Sequence, residues 1–384
     1  MGQGDGVSGP KWCDKRTVPM SQDDWRCLVM PRTVLEMFDI PESIFPSFVD
    51  MLSDDLFGIK GIWQLSYRDL RTKNITISNE GDLSQFTFNE ETVFPHRLFD
   101  ISAKVMQDGK AGRITNHYGL TGKGVKIAII DKPINPRHIE FESRLEVIKI
   151  EPDNENHDSL DFHGMTCASL LAGKTCGTAP KAVIKYFQMP DSGGRTEISR
   201  YALKALKMIV EYNRVNAADP IRLISWSGGF TKEDMQERNN ISKILSQMGC
   251  YLIDATMFMR NFCGIDYNPY AENDEKKYSL NKWQLDNYER NKERPGFSEW
   301  FENCCYVPSS RCTSASDDIV DGYIHWGKAV SESWTIPQTV GAMALCLQNH
   351  PKLSYESFVA LAKKCNRKNG FIILDINSII EAIK

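Results

Sequence analysis

Hydrophobic positions along this chain fall into two patterns. Four short runs are apolar at nearly every position and rich in β-branched residues: Val125–Ile130 (VKIAII), Ala182–Phe187 (AVIKYF), Ile221–Trp226 (IRLISW) and Gly249–Ala255 (GCYLIDA). A run of this length without alternation predicts a strand buried on both faces, as in a parallel sheet. Between these runs, Thr166–Ala172, Glu197–Asn213 and Glu233–Met248 carry a helical period. In the second of them Ile198, Tyr201, Ala202, Ala205, Met208 and Ile209 make one apolar stripe. Strands alternating with helices predict an α/β fold, a doubly wound, mostly parallel sheet flanked by helices. Gly119, Gly122 and Gly124 precede the first strand instead of following it, so the phosphate-cradling turn of a dinucleotide fold is absent.

A longer helix is predicted over Ser331–Leu347, SESWTIPQTVGAMALCL. Val340, Met343, Ala344 and Leu347 share one face, and Ala342, Leu345 and Cys346 fill much of the rest, which describes a helix buried nearly all round. Pro337 puts the helix start just upstream, because proline is tolerated only near a helix N-terminus. Ser333 then sits at the positive end of the helix dipole among unpaired backbone N–H groups, a setting that suits a nucleophile building negative charge. The plain alternative is that Ser331 or Ser333 is only an N-cap.

Composition narrows the function classes. The 384 residues carry a net charge of -4, which points away from nucleic acid and anionic membranes. No stretch approaches the ~20 apolar residues of a membrane span, and the N-terminus lacks the apolar core of a secretory signal. The 11 cysteines therefore read as reduced thiols and the location as cytoplasmic. Cys304, Cys305 and Cys312 match no zinc spacing; the sequence requires no cofactor and leaves structural calcium open. Residues 1–30 read as a polar tail, and 31–100 as a small α+β region with helix-like Ile44–Leu52 and strand-like Ile59–Tyr67, Asn74–Ser78 and Gln85–Asn89. A short helix is expected within Arg97–Ile114.

Three polar residues occupy chemically suggestive ends of these elements. Asp131 ends the first buried run, where open α/β sheets carry their functional groups. His163 opens a short apolar helix in DFHGMTCASLLAG, and Ser333 opens the long one. Singly, Asp131 is a turn residue, His163 a cap or satisfied core histidine, and His163 with Cys167 half a metal site. Together, in the order Asp, His, Ser, they supply what a triad needs: an acid to orient an imidazole and an imidazole to take a serine proton.

The surrounding motifs resemble subtilisin-like serine proteases. GVKIAIIDKPINPRHIEF resembles that family's Asp block, with Asp131 and His138 in register. His163-Gly164-Met165-Thr166, followed by Gly177-Thr178-Ala179-Pro180, resembles its His block, and Ser331-Glu332-Ser333 through Pro337 and Gly341 its Ser block. ISWSGGF (Ile224–Phe230) resembles the strand and glycine turn that line the family's cleft. The resemblance runs from about Leu120 to the C-terminus. It implies an intracellular serine endopeptidase with Asp131, His163 and Ser333 as triad. A peptide or protein substrate would lie as an added strand on Ser227, Gly228 and Gly229. The implied oxyanion donors are the Ser333 N–H and either Thr256 or Asn261, which stand near the place of the family's asparagine.

The resemblance divides the chain into residues 1–100, a tail and possible prodomain or recruiting region, and 101–384, the peptidase domain. Glu332, where the family has threonine, sets a carboxylate beside the developing oxyanion. This motivates the alternative of a catalytically impaired pseudoprotease acting as a binding or regulatory module. Cys263–Asn303, polar and aromatic, is a long insertion that either restricts substrates or is a surface excursion.

Overall fold

Apolar runs that can be buried on both faces become adjacent parallel strands. In the computed structural model the described residues are 118–151, 161–174, 176–191, 193–267, 273, 276–310, 312–315, 323–325 and 330–384. The readings of residues 1–114, including the division at residue 100, lie outside them. Strands β1 (Lys126–Asp131), β2 (Leu145–Lys149), β3 (Val183–Gln188), β4 (Leu223–Trp226) and β5 (Tyr251–Asp254) form an all-parallel sheet in the order β2-β3-β1-β4-β5. The connections contain α1 (Phe162–Ala172), α2 (Arg195–Val215) and α3 (Met235–Gln247), and α4 (Ala255–Phe258) follows β5 directly. The predicted elements are present within a few residues of their expected bounds. Strand β2 was not anticipated: it lies at the sheet edge with no fully buried residue, and Glu146 and Lys149 break the continuous apolar signature.

After β5 the chain builds a second sheet, in the order β11-β12-β8-β6-β7. Its members are β6 (Phe262–Tyr267) and β7 (Tyr278–Ser279), then, past α5 (Lys282–Asn291) and α6 (Phe297–Asn303), β8 (Cys305–Pro308). A hairpin of β9 (Thr313–Ala315) and β10 (Tyr323–His325) precedes α7 (Glu332–Asn349). Helix α8 (Tyr355–Ala362), β11 (Arg367–Lys368), β12 (Phe371–Ile373) and α9 (Ile376–Ile383) close the order. The insertion is thus structured: Tyr288, Phe297, Trp300 and Phe301 of α5 and α6 interlock and reach Tyr306 of β8.

The strand period sorts side chains onto two cores. Ile127 and Ile129 of β1 join Met165, Ala168 and Leu171 of α1 and Val340, Met343 and Leu347 of α7. Ala128 and Ile130 point the other way, to Leu206 and Ile209 of α2 and Leu245 of α3. Every residue of α7 from Trp334 to Leu347 is buried. The chain leaves β1 toward β3 on one side and later returns to β4 on the other. The C-terminal end of β1 is therefore the switch point at which open α/β sheets bind ligands. No helix of the described residues is long and apolar enough to cross a membrane.

Candidate active site

Asp131 is the last residue of β1 and is buried. Its Oδ1 accepts the Lys132 N–H at 2.8 Å. Both of its oxygens face His163 Nδ1, at 2.9 and 3.0 Å. A carboxylate oxygen accepts, so in the neutral imidazole the proton sits on Nδ1 and the lone pair on Nε2. His163 is the second residue of α1, and its N–H is capped by Asp161 Oδ1 at 2.7 Å. Gly164, next in sequence, is required by close approach: a Cβ there would run into the Tyr186 hydroxyl and meet Lys132 O at 2.8 Å. Burial lowers the imidazole pKa, but the adjacent Asp131 charge more than offsets it and holds His163 well above the ordinary histidine range.

The two serines of the Ser block have different jobs. Ser331 is the N-cap of α7, its Oγ accepting the Ser333 N–H at 3.2 Å and its carbonyl the Thr335 hydroxyl at 2.7 Å. Ser333 is the second helical residue and is released from capping. Pro337 explains what its carbonyl does. A proline has no N–H for the carbonyl four residues earlier, and its ring crowds that carbonyl. Ser333 O turns sideways instead and accepts the Ser227 hydroxyl at 2.9 Å, with Cys167 Sγ at 3.4 Å. Ser333 is thereby tied to the turn after β4 and to α1. Trp334 packs on the His163 ring with centroids 5.4 Å apart.

The other expected residues divide. Ser227 reaches the site, but with its side chain. The Gly228 carbonyl accepts the Ala255 N–H at 3.0 Å, and a Cβ on Gly229 would meet nothing within 4 Å, so Gly229 borders open space. Thr256 lies in the first turn of α4, half-buried, directly after the β5 corner that the buried Arg238–Asp254 pair anchors at 2.7 Å. The Asn261 backbone is engaged elsewhere: its N–H goes to Phe258 O, and its carbonyl takes the Cys305 N–H. The Ser333 N–H, expected as an oxyanion donor, is held by Ser331 Oγ over a long bond. The Glu332 charge is felt at β6: burial first and that charge second push the Cys263 thiol up to about 12. The insertion meets the same strand, Gln284 Nε2 donating to Gly264 O at 2.6 Å.

Asp131, His163 and Cys167 bring potential metal-ligating atoms within 4.8 Å of one another. The sequence offered that pairing only as half a site. A cation there would compete with the Asp131–His163 bond, and burial pushes the Cys167 thiol up, so it is protonated at neutral pH. Cys304, Cys305 and Cys312 fall into three different apolar clusters and form no joint site. Lys132, Cys167 and Trp334 touch the pair directly or through one neighbour, yet ion pairs between loops have no periodic signature to reveal them.

Residues 122–257 match the family model described as the subtilase family. The matched segment holds Asp131 and His163 and ends before Ser333. A subtilisin-like protease of Coccidioides posadasii is 31% identical over 113 residues, 29% of this chain and 27% of that protein. Subtilisin-like protease 2 of Trichophyton rubrum is 34% identical over 101 residues, 25% of this chain and 24% of that protein. The chain thus spans about a quarter of the length of these relatives. Among solved structures, fervidolysin from Fervidobacterium pennivorans, a keratinolytic enzyme related to subtilisin, aligns over 68% of this chain and 43% of its own, with TM-score 0.49 and 14% identity. A cold-adapted subtilisin-like serine proteinase aligns over 66% and 86%, with TM-score 0.45 and 16% identity.

Proposed function

We propose that the chain is a subtilase, on the family match over residues 122–257 and the similarity to subtilisin-like proteases over about a quarter of their length, and from that premise that it is a serine endopeptidase acting on a specific peptide or protein. The observation that carries this reading is the Asp131–His163 pair, bonded at 2.9 Å at the switch point of the sheet. Ser333 Oγ attacks the substrate carbonyl and His163 Nε2 takes its proton. Asp131 holds the Nδ1–H and stabilises the imidazolium, which then protonates the leaving amine. Water, activated by the same imidazole, cleaves the acyl ester. Thr256 and the Ser333 N–H are the oxyanion donors in this scheme, and the substrate strand lies along Ser227–Gly229. Glu332 and the occupied Ser333 N–H restrain the rate, which suits a selective enzyme.

A fluorophosphonate probe tests the reading. Wild type takes the label, while Ser333→Ala takes none and His163→Ala labels slowly. A folded wild type that stays unlabelled refutes the peptidase. It leaves the second reading, a binding module of the same fold, which Glu332 and the capped Ser333 N–H favour. The proposal extends to a reducing, cytoplasmic location, supported by the unbridged thiols of Cys167, Cys250, Cys263, Cys304, Cys305, Cys346 and Cys365; fractionation of a tagged chain tests it. Residues 1–100 serve as a prodomain or recruiting segment in this scheme, and intact-mass analysis of purified active and Ser333→Ala chains distinguishes removal from retention.

A further inference from the structure

Three charged side chains that the peptidase scheme does not use meet beside the Asp131–His163 pair. Lys132 directly follows Asp131. Its Nζ lies 2.9 Å from Asp161 Oδ2 and 3.4 Å from Asp191 Oδ1. Asp161 is the residue whose other oxygen caps the His163 N–H at 2.7 Å. Asp191 stands just past β3, two residues after Met189, whose N–H bonds Asp131 O at 2.8 Å. The Lys132 backbone is fixed as well: its N–H goes to Asp131 Oδ1 at 2.8 Å, and its carbonyl accepts the Tyr186 hydroxyl at 2.5 Å.

The ammonium therefore joins three loops that share no regular structure: the one leaving β1, the one entering α1 and the one leaving β3. Each member of the Asp131–His163 pair has a close neighbour in this clamp. An ammonium suits the place, since it has three donors on a flexible stem and can hold two carboxylates from different segments at once. The three side chains are 35%, 15% and 27% exposed, so the contacts are partly shielded from solvent. Burial alone would lower the Lys132 pKa, yet the bond and charge of Asp161, with Asp191, leave it raised and the residue a permanent cation at neutral pH.

We propose that Lys132 is a positioning residue: held between Asp161 and Asp191, its ammonium fixes the first turn of α1 against the end of β1 and so keeps the His163 imidazole on the Asp131 carboxylate. The inference rests on the reading of Asp131 and His163 as members of a peptidase triad. The groups that face the imidazole are Asp131 from β1, Cys167 from α1 and Trp334 from α7. No clamp side chain bonds the ring. Removing Lys132 therefore affects the ring in two opposed ways. Loss of a nearby cation by itself raises the histidine pKa, whereas loss of the Asp131 contact lowers it.

The test is the titration of His163 in the full chain, followed by NMR of histidine-labelled protein and assigned with a His163→Gln variant. Kinetics run in parallel. Lys132→Met is expected to move the His163 pKa down and to lower kcat about 10- to 100-fold, with KM changed less than about twofold. Lys132→Arg, which keeps the cation, restores both. Asp161→Asn keeps the N-cap, because Asn caps as well as Asp, but removes the anchor. Losing the Asp161 charge lowers the histidine pKa by itself, so kcat is the readout for this variant: a fall like that of Lys132→Met is expected, and an unchanged kcat overturns the proposal if Lys132→Met does not fold. A His163 pKa that stays put or rises, or an Arg variant as impaired as the Met one, overturns the proposal. A folded wild type without peptidase activity counts against the triad reading alone, because the direction of the NMR shift still decides the role of Lys132.

Discussion

The carbonyl of Ser333 offers a quantitative test of how the candidate nucleophile is held. Pro337 cannot supply the helical N–H, so the tether is the Ser227 hydroxyl at 2.9 Å, seconded by a thiol at 3.4 Å. Ser227→Ala leaves that acceptor with the weak thiol donor. A buried acceptor left short costs about 1–3 kcal/mol, and the half-buried setting of Ser333 argues for roughly 1.5 kcal/mol. Pro337→Ala supplies an N–H that can close the ladder onto the same oxygen. In that background Ser227→Ala should cost only about 0.5 kcal/mol, the net value of one exchanged hydrogen bond. The coupling expected in the double-mutant cycle is therefore about 1 kcal/mol. Equilibrium unfolding in guanidinium of the four proteins measures it. The fluorophosphonate labelling rate of Pro337→Ala should fall about tenfold even though that variant is the more stable, because its Ser333 carbonyl turns toward the helix axis. Additivity within about 0.3 kcal/mol would refute the account.

Other expectations follow from the site. A general base must be neutral, so the raised His163 pKa sets the rise of kcat/KM with pH above the ordinary histidine value; a rise centred below about 6.5 contradicts it. The same linkage makes the Asp131–His163 pair stabilising in full below the unfolded histidine pKa, with the contribution lost as pH rises through the folded one. The stability gap between wild type and Asp131→Asn should narrow along that path in thermal melts. Ser331→Gly should cost only roughly a few tenths of a kcal/mol while releasing the Ser333 N–H, so labelling should quicken; slower labelling would mean that N–H has no part in the oxyanion site. Glu332→Gln removes a charge that helps hold the Cys263 thiol near 12, so alkylation of Cys263 at alkaline pH, read by peptide mass analysis, should accelerate.

The parallel sheet was legible because β1 and β3–β5 are apolar on both faces, a pattern that the chain cannot satisfy at a surface. Helix α7 was legible for the same reason. The order Asp131, His163, Ser333 could be read because each residue ends or opens such an element. Strand β2 escaped because at the sheet edge it is only partly buried and carries Glu146 and Lys149, and the β6–β8–β12 sheet because β6 carries Cys263, Gly264 and Asp266 and the insertion separates it from β8. Sequence left Ser331 and Ser333 both eligible as caps. The choice depends on the backbone of Ser331, which is extended at φ -138 and ψ 136 while Glu332 is already helical. The choice between Thr256 and Asn261 likewise needed long-range pairing: the Asn261 carbonyl takes the N–H of Cys305, a residue of β8 more than forty positions along the chain. The Lys132 clamp joins three loops, and loops carry no period from which a partner could be inferred.

The spacing of the site along the chain has a consequence for synthesis. Asp131 and His163 are 32 residues apart, whereas the contact of Cys167 with Ser333 spans 166. At about 5–20 residues per second, His163, the later of acid and base, emerges roughly 9–34 s before the serine it would serve. Throughout that interval a nascent chain holds an imidazole with no hydroxyl to activate, and neighbouring nascent proteins are safe from it. In the peptidase reading the imidazole gains its hydroxyl only once the second sheet and α7 have closed the gap, which would make the timing of assembly itself a form of control.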